Sequence, residues 1–96
     1  MDNKQEIFKE KVSLILDSVN KVLLVKNKKY GDSVLTPTKI FSKMESEDSI
    51  YQRLDDKLSR IKNSDEPMKN DVFDLIGYLI LLCVKKGWTD FTELID

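Results

Sequence analysis

The stretch Asp71-Val72-Phe73-Asp74-Leu75-Ile76-Gly77-Tyr78-Leu79-Ile80-Leu81-Leu82-Cys83-Val84 decides the fold. Nearly every position from Val72 to Val84 is apolar, which predicts a helix buried on most of its sides. Asp71, Asp74 and Tyr78 interrupt that pattern at spacings of three and four, so they line one face. Gly77 lies beside them and, lacking a side chain, allows another helix to approach closely. An ionised aspartate taken from water without a partner costs several kcal/mol, so Asp74 calls for a cation, a metal ion or a water-filled site. Downstream, Gly87 stops the helix and Lys85 and Lys86 complement its negative end. Thr89 is expected to cap a last short turn from Asp90 to Ile95.

Upstream of this helix, Asn63-Ser64-Asp65-Glu66-Pro67 reads as a junction, with Ser64 or Asp65 as the cap and Pro67 in the first helical turn. The preceding helix is expected to begin between Glu47 and Ser49. Ile50, Leu54, Leu58 and Ile61 recur at helical spacing and form its core face. A short turn makes the two helices antiparallel neighbours, which brings Arg53, Lys57 and Arg60 within reach of Asp74.

The chain has fourteen lysines but two arginines, and both arginines fall in Arg53-Leu54-Asp55-Asp56-Lys57-Leu58-Ser59-Arg60. On a helix, Arg53, Asp56, Lys57 and Arg60 share one side. Guanidiniums present a rigid fork of donors that pairs with phosphate or carboxylate oxygens. Two readings stand side by side: a solvated face laced with ion pairs, or a cleft whose surplus fixed charge receives a ligand. Tyr78 likewise reads as a core aromatic or as a ring that stacks on a base.

From about Lys4 to Val25, Phe8, Val12, Ile15, Leu16, Val19, Val22 and Leu23 recur with a helical period. Lys26-Asn27-Lys28-Lys29-Tyr30-Gly31-Asp32-Ser33 then reads as a basic loop. A lysine-rich loop is ordinarily solvated surface, yet Tyr30 beside Lys26, Lys29 and a glycine turn can supply a stacking platform, with Asp32 adjoining it. Thr36-Pro37 suits the start of a short helix. The spacing does not match a G-x-x-x-x-G-K phosphate loop. No alternating run signals a strand. The expected architecture is all-α: one domain over 1–96, a compact bundle of three long helices plus short ones, assembling into a helical dimer or higher oligomer.

Composition narrows the chemistry. Ninety-six residues bury a modest core, so tight packing or a partner subunit should supplement it. Net charge is −1 with acids and bases interspersed, which argues against long nucleic acid and against membrane electrostatics. There is no histidine, which removes Ser-His and Cys-His catalysis and imidazole ligands together. Cys83 is the only cysteine and reads as a small buried hydrophobe. Met1-Asp2-Asn3-Lys4-Gln5-Glu6 lacks a secretory pattern, and the apolar run Leu79 to Val84 is too short to span a bilayer, so a cytoplasmic location is expected.

Lys29-Tyr30-Gly31-Asp32-Ser33, then Arg53 to Arg60, then Asp71-Val72-Phe73-Asp74-Leu75-Ile76-Gly77-Tyr78 together resemble the nucleotide modification associated domain, type 1, over residues 26–84. That family is small, all-α and frequent in phages, and the resemblance implies nucleotide handling in the cytoplasm of a bacterial host. More distantly the region is similar to MazG-like all-α nucleotide pyrophosphohydrolases, which hold magnesium with an E-x-x-E pair and an E-x-x-D pair. Asp71 and Asp74 match the second pair by type and spacing. The first pair has no counterpart, because adjacent Asp55 and Asp56 point about 100° apart on a helix.

The leading expectation is a protein that binds a nucleotide or a nucleotide-derived signal, such as a cyclic immune messenger, without turnover and without a cofactor, as a phage-type sequestering protein. Its site would draw on Lys26, Lys29, Tyr30, Asp32, Arg53, Asp56, Lys57, Arg60, Asp74 and Tyr78. One alternative is a magnesium-dependent pyrophosphohydrolase or nucleotide-modification accessory, with Asp71, Asp74 and Asp56 as metal ligands. Another is an oligomeric helical protein that binds a host protein. Its support is apolar surface: Ile7, Leu14, Leu24 and Val25 lie off the first helix's main stripe, and Phe91, Leu94 and Ile95 make an apolar end.

Overall fold

The computed structural model describes residues 3–30 and 46–96, with the Tyr30 side chain left aside. The fold is all-α: α1 spans Asn3–Tyr30, α2 Ser46–Lys62 and α3 Lys69–Lys86, and a single 3-10 turn follows at Thr92–Leu94. No strand occurs among the described residues. No helix among them is long and apolar enough to cross a membrane. The chain divides into two compact units, α1 in one and α2, α3 and the C-terminal segment in the other.

Helix α1 runs further than its apolar period, and this corrects the expected basic loop from Lys26 onward. Lys26, Lys28 and Lys29 are helical. Lysine is a good helix former, and cations in the last turn are favoured by the partial negative charge of the exposed carbonyls there. Gly31, Asp32, Ser33 and the short helix expected at Thr36-Pro37 lie outside the described residues.

Helices α2 and α3 pack against each other. Ile50 is completely buried and Leu54 and Ile61 are half-buried, as their spacing predicts, but Leu58 is half exposed. Lys57 takes the inner position instead. At about 100° per residue, Lys57 lies within about 20° of Ile50 and Leu58 about 80° away, so the core-facing line is Ile50, Leu54, Lys57 and Ile61. A lysine can occupy such a seat because its aliphatic stem packs like a hydrocarbon while its ammonium finds a counter-charge.

In α3, Asp71 and Gly77 are buried, and Phe73, Leu75, Ile76, Ile80, Leu81, Leu82 and Cys83 are half-buried. Val72, Leu79 and Val84 are exposed, so the helix is covered on fewer sides than its composition predicts. The junction also differs in detail. Ser64 does not cap α3: its hydroxyl lies 3.1 Å from the Ile61 carbonyl and 2.9 Å from the Glu66 carbonyl, closing the turn at the end of α2. Pro67 stays outside α3, whose N-cap is Met68 in extended conformation. The first helical bond runs from the Val72 N–H to the Met68 carbonyl, 3.0 Å.

The far end of α3 follows its sequence signal closely. Gly87 has φ +77°, its N–H donates to the Val84 carbonyl at 3.2 Å, and the Trp88 N–H donates to the Cys83 carbonyl at 2.9 Å. These two bonds are the Schellman arrangement, which satisfies carbonyls that the helix leaves open. The final turn is capped by Asp90, whose Oδ1 accepts the Thr92 N–H at 2.9 Å, and not by Thr89 as the sequence suggested. A carboxylate two residues ahead of the amide makes an Asx turn, and this bond holds the Asp90 carboxyl below its ordinary range.

A Cβ on residue 87 would meet nothing within 4 Å, so the cost of replacing Gly87 is purely conformational. Gly87→Ala should lower the unfolding free energy by about 1 kcal/mol in urea denaturation, with helix content unchanged. A neutral result would show that the left-handed cap does not hold the end of α3.

Candidate functional site

The charged residues of α2 and α3 meet across the helix pair in a fixed order. Lys86 Nζ lies 3.1 Å from Glu47 Oε1, Lys57 Nζ 2.8 Å from Asp74 Oδ2, and Arg60 Nη1 3.7 Å from Asp71 Oδ1. Going along α2 from Glu47 to Lys57 to Arg60, the partner on α3 moves back from Lys86 to Asp74 to Asp71. That is the register of two antiparallel helices joined by a short turn. The expected partnership of Asp74 with a cation of the preceding helix is present, and the partner is Lys57.

The pairs differ in environment. Lys57 and Asp74 are 14% and 26% exposed, so both charges are largely out of water and their contact is short. Asp71 is 11% exposed while Arg60 is 63% exposed, and 3.7 Å is too long for a hydrogen bond. Asp71 Oδ1 is accordingly buried with no hydrogen-bond partner. The carboxylate therefore acts on the guanidinium by charge alone, and Arg60 remains largely open to solvent. Arg53 and Asp56 are exposed on the same side of α2, and Tyr78 is half-buried on the face of α3 that carries Asp71 and Asp74.

Seven of the residues singled out in the sequence thus lie on this helix pair: Arg53, Asp56, Lys57, Arg60, Asp71, Asp74 and Tyr78. Lys26, Lys29 and Tyr30 belong to the α1 unit, at its C-terminal turns, and Asp32 lies outside the described residues. Among the described residues no group of three or more carboxylates or thiols converges as a metal site would require. Asp74 fits a divalent cation poorly, since the Lys57 ammonium already lies 2.8 Å from its Oδ2. A hard cation needs several converging oxygens whose charge is still available.

One cluster was not anticipated. Glu47 accepts hydrogen bonds from Lys86 and from the Tyr51 hydroxyl, and Lys86 Nζ also sits 5.9 Å from the centre of the Trp88 ring. The bond from Lys86 is the main reason the Glu47 carboxyl titrates below its ordinary 4.5. The same bond raises Lys86. Loss of hydration, and then donation to Glu47, raises Tyr51. The signal lay in the sequence: Glu47 opens α2 and Lys86 closes α3, so an antiparallel pairing places them opposite each other, and Tyr51 follows Glu47 by one helical turn.

The chain matches no protein family, no curated protein and no solved structure.

Two measurements follow from this geometry. Asp74→Ala leaves Lys57 desolvated without a counter-charge and should cost about 2–3 kcal/mol of stability, and adding Lys57→Met should recover most of that loss. If the double variant is as unstable as the single one in chemical denaturation, the pair is not what seats Lys57.

The second concerns pH. A carboxyl whose folded value is depressed contributes stability above its unfolded value, and the contribution fades as pH falls through the folded value. Lys86→Met should therefore lower Tm at neutral pH, and its gap to the parent chain should narrow as pH falls below 4.5. For Lys86 itself, raised when folded, the contribution is lost only as pH climbs beyond 10.5. A gap constant between neutral and acid pH would remove the Glu47–Lys86 bond from the account.

Proposed function

We propose that the chain binds a nucleotide or a nucleotide-derived phosphorylated messenger against the charged side of α2 and holds it without turnover. The observation that carries this reading is Arg60, braced from behind by the buried carboxylate of Asp71 and open to solvent in front. A guanidinium that makes no hydrogen bond to its carboxylate neighbour keeps its planar fork free for phosphate oxygens. Arg53, two turns earlier on the same side, gives a second fork about 10 Å along the helix. Tyr78 supplies the aromatic for a base, and Asp74 fixes Lys57.

The resemblance to the nucleotide modification associated domain, type 1, supports nucleotide handling, and with it a phage-type role in sequestering such a signal. Hydrolysis is the less favoured version, because Asp74 is paired with Lys57 and no group of three or more acidic side chains converges among the described residues.

The test is a thermal-shift screen of the full chain against mono-, di-, tri- and cyclic nucleotides, each with and without magnesium, followed by chromatographic recovery of the stabilising ligand. Recovery of the ligand intact is the expected result. Arg60→Ala and Arg53→Ala should each weaken that ligand by about tenfold or more with the helical spectrum unchanged, since a charge-assisted bidentate contact contributes about 1.5–3 kcal/mol. Stabilisation by no nucleotide, or full affinity in Arg60→Ala, would sink the proposal. Recovery of a cleaved product only in the presence of metal would replace it with the enzyme reading.

A further inference from the structure

The order of charges along the exposed side of α2 narrows the ligand class, an inference that rests on the nucleotide reading above. Arg53 and Arg60 are seven residues apart, which at about 100° and 1.5 Å per residue sets them within about 20° of one direction and about 10 Å apart along the helix. Asp56 lies between them, within about 60° of both. All three are exposed. Asp56 follows one arginine by three residues and precedes the other by four, the spacings at which intrahelical ion pairs form. Among the described residues, neither Asp56 nor Arg53 takes part in one.

Arg60 does not reach back over Asp56. Its Nη1 lies 3.7 Å from Asp71 Oδ1, and in the antiparallel pairing Asp71 lies beyond the Lys57–Asp74 contact as seen from Arg53. Lys57 does not neutralise the middle of the stripe either, since its ammonium is turned inward to Asp74 at 2.8 Å. The stripe therefore runs cation, acid, cation. Each end suits an anion, and the middle suits a neutral group that donates a hydrogen bond. A single phosphate shared by both guanidiniums would sit over Asp56, and so would the middle of a diphosphate or triphosphate laid between them, with like charges facing each other. Two phosphates with a nucleoside between them match the order instead. Their charges lie at the ends, and the sugar hydroxyls and base amino groups between them carry the donors.

We propose that the ligand of this site bears two phosphates separated by a nucleoside, as in a dinucleotide, with Arg53 on one phosphate, Arg60 on the other and Asp56 accepting a hydrogen bond from the sugar or base between them. Asp56 then selects as well as binds. It rewards a ligand whose middle is neutral and donating, and it repels one whose middle is an unbroken polyphosphate chain.

The experiment measures direct binding to the full chain, without magnesium, of 5′-phosphorylated dinucleotides against nucleoside diphosphates and triphosphates of the same bases. For the preferred base, the dinucleotide should bind about tenfold or more tightly than the triphosphate. Asp56→Asn, at an exposed position, should reduce that preference to about twofold or less by admitting the triphosphate. Arg53→Ala should reduce it by weakening the dinucleotide, and both variants should keep the helical spectrum of the parent chain. A triphosphate that binds as well as the dinucleotide would overturn this inference and leave the nucleotide reading standing. A preference undiminished in Asp56→Asn would overturn it as well. Binding of neither class would remove both this inference and the reading beneath it.

Discussion

The contact between Lys57 and Asp74 is the constraint on which the helix pair depends. Helix α2 is a polar helix, and Ile50 is its only fully buried apolar side chain. Apolar contact alone would leave its rotation and its longitudinal setting against α3 poorly fixed. A lysine on the core line removes that freedom, because its ammonium is stable there only where Asp74 meets it. Rotating α2 by one residue, about 100°, would expose Ile50 and strand Lys57. Sliding α2 by one turn, about 5.4 Å, would break the contacts of Glu47 and Arg60 together with that of Lys57. The three pairs therefore specify one register jointly, and the outer two need not contribute much individually.

The same arrangement explains which parts of the chain were legible in its sequence. Stop signals read correctly where one residue type has one physical use: Gly87 is at a positive φ that disfavours a side chain, and its position fixed the end of α3. The antiparallel pairing and the partnership of Asp74 with a cation from α2 were legible too, since a short turn and a buried carboxylate leave few other arrangements. The reach of Lys57 to Asp74 was legible, but its seat on the core-facing line was not, because an apolar period ranks Leu58 above any lysine. The extension of α1 through Lys29 was missed because lysine serves equally in a solvated loop and in the last turns of a helix. Capping was ambiguous for a similar reason. Ser64 and Thr89 have capping side chains, but Ser64 closes the preceding turn and Asp90 reaches the open amide first. Of the candidate site, the α2–α3 residues follow from periodicity, whereas the distinction between a braced and a committed cation rests on distances.

That distinction bears on binding against catalysis. A carboxylate pair at a spacing of three on one helix face is what a metal-dependent nucleotide hydrolase would present. In this chain the two carboxylates face α2, and α2 answers each with a cation. The Asp74 carboxylate is paired with Lys57 at 2.8 Å, whereas Asp71 meets Arg60 only at 3.7 Å and leaves that guanidinium largely open to solvent. Under the proposed reading, that open guanidinium is the group that receives an anion.

The size of the chain sets a further condition. Among the described residues only Val19 and Ile50 are buried hydrophobes, while Ile7, Phe8, Leu14 and Ile15 of α1 and the side chains of Trp88, Phe91, Leu94 and Ile95 are exposed. Moving one such side chain out of water contributes about 1.5–3 kcal/mol. A domain of this length has a stability of only about 5–15 kcal/mol, so a few of these burials compare with the whole. Covering such side chains, whatever packs against them, would therefore change stability by an amount comparable with the total.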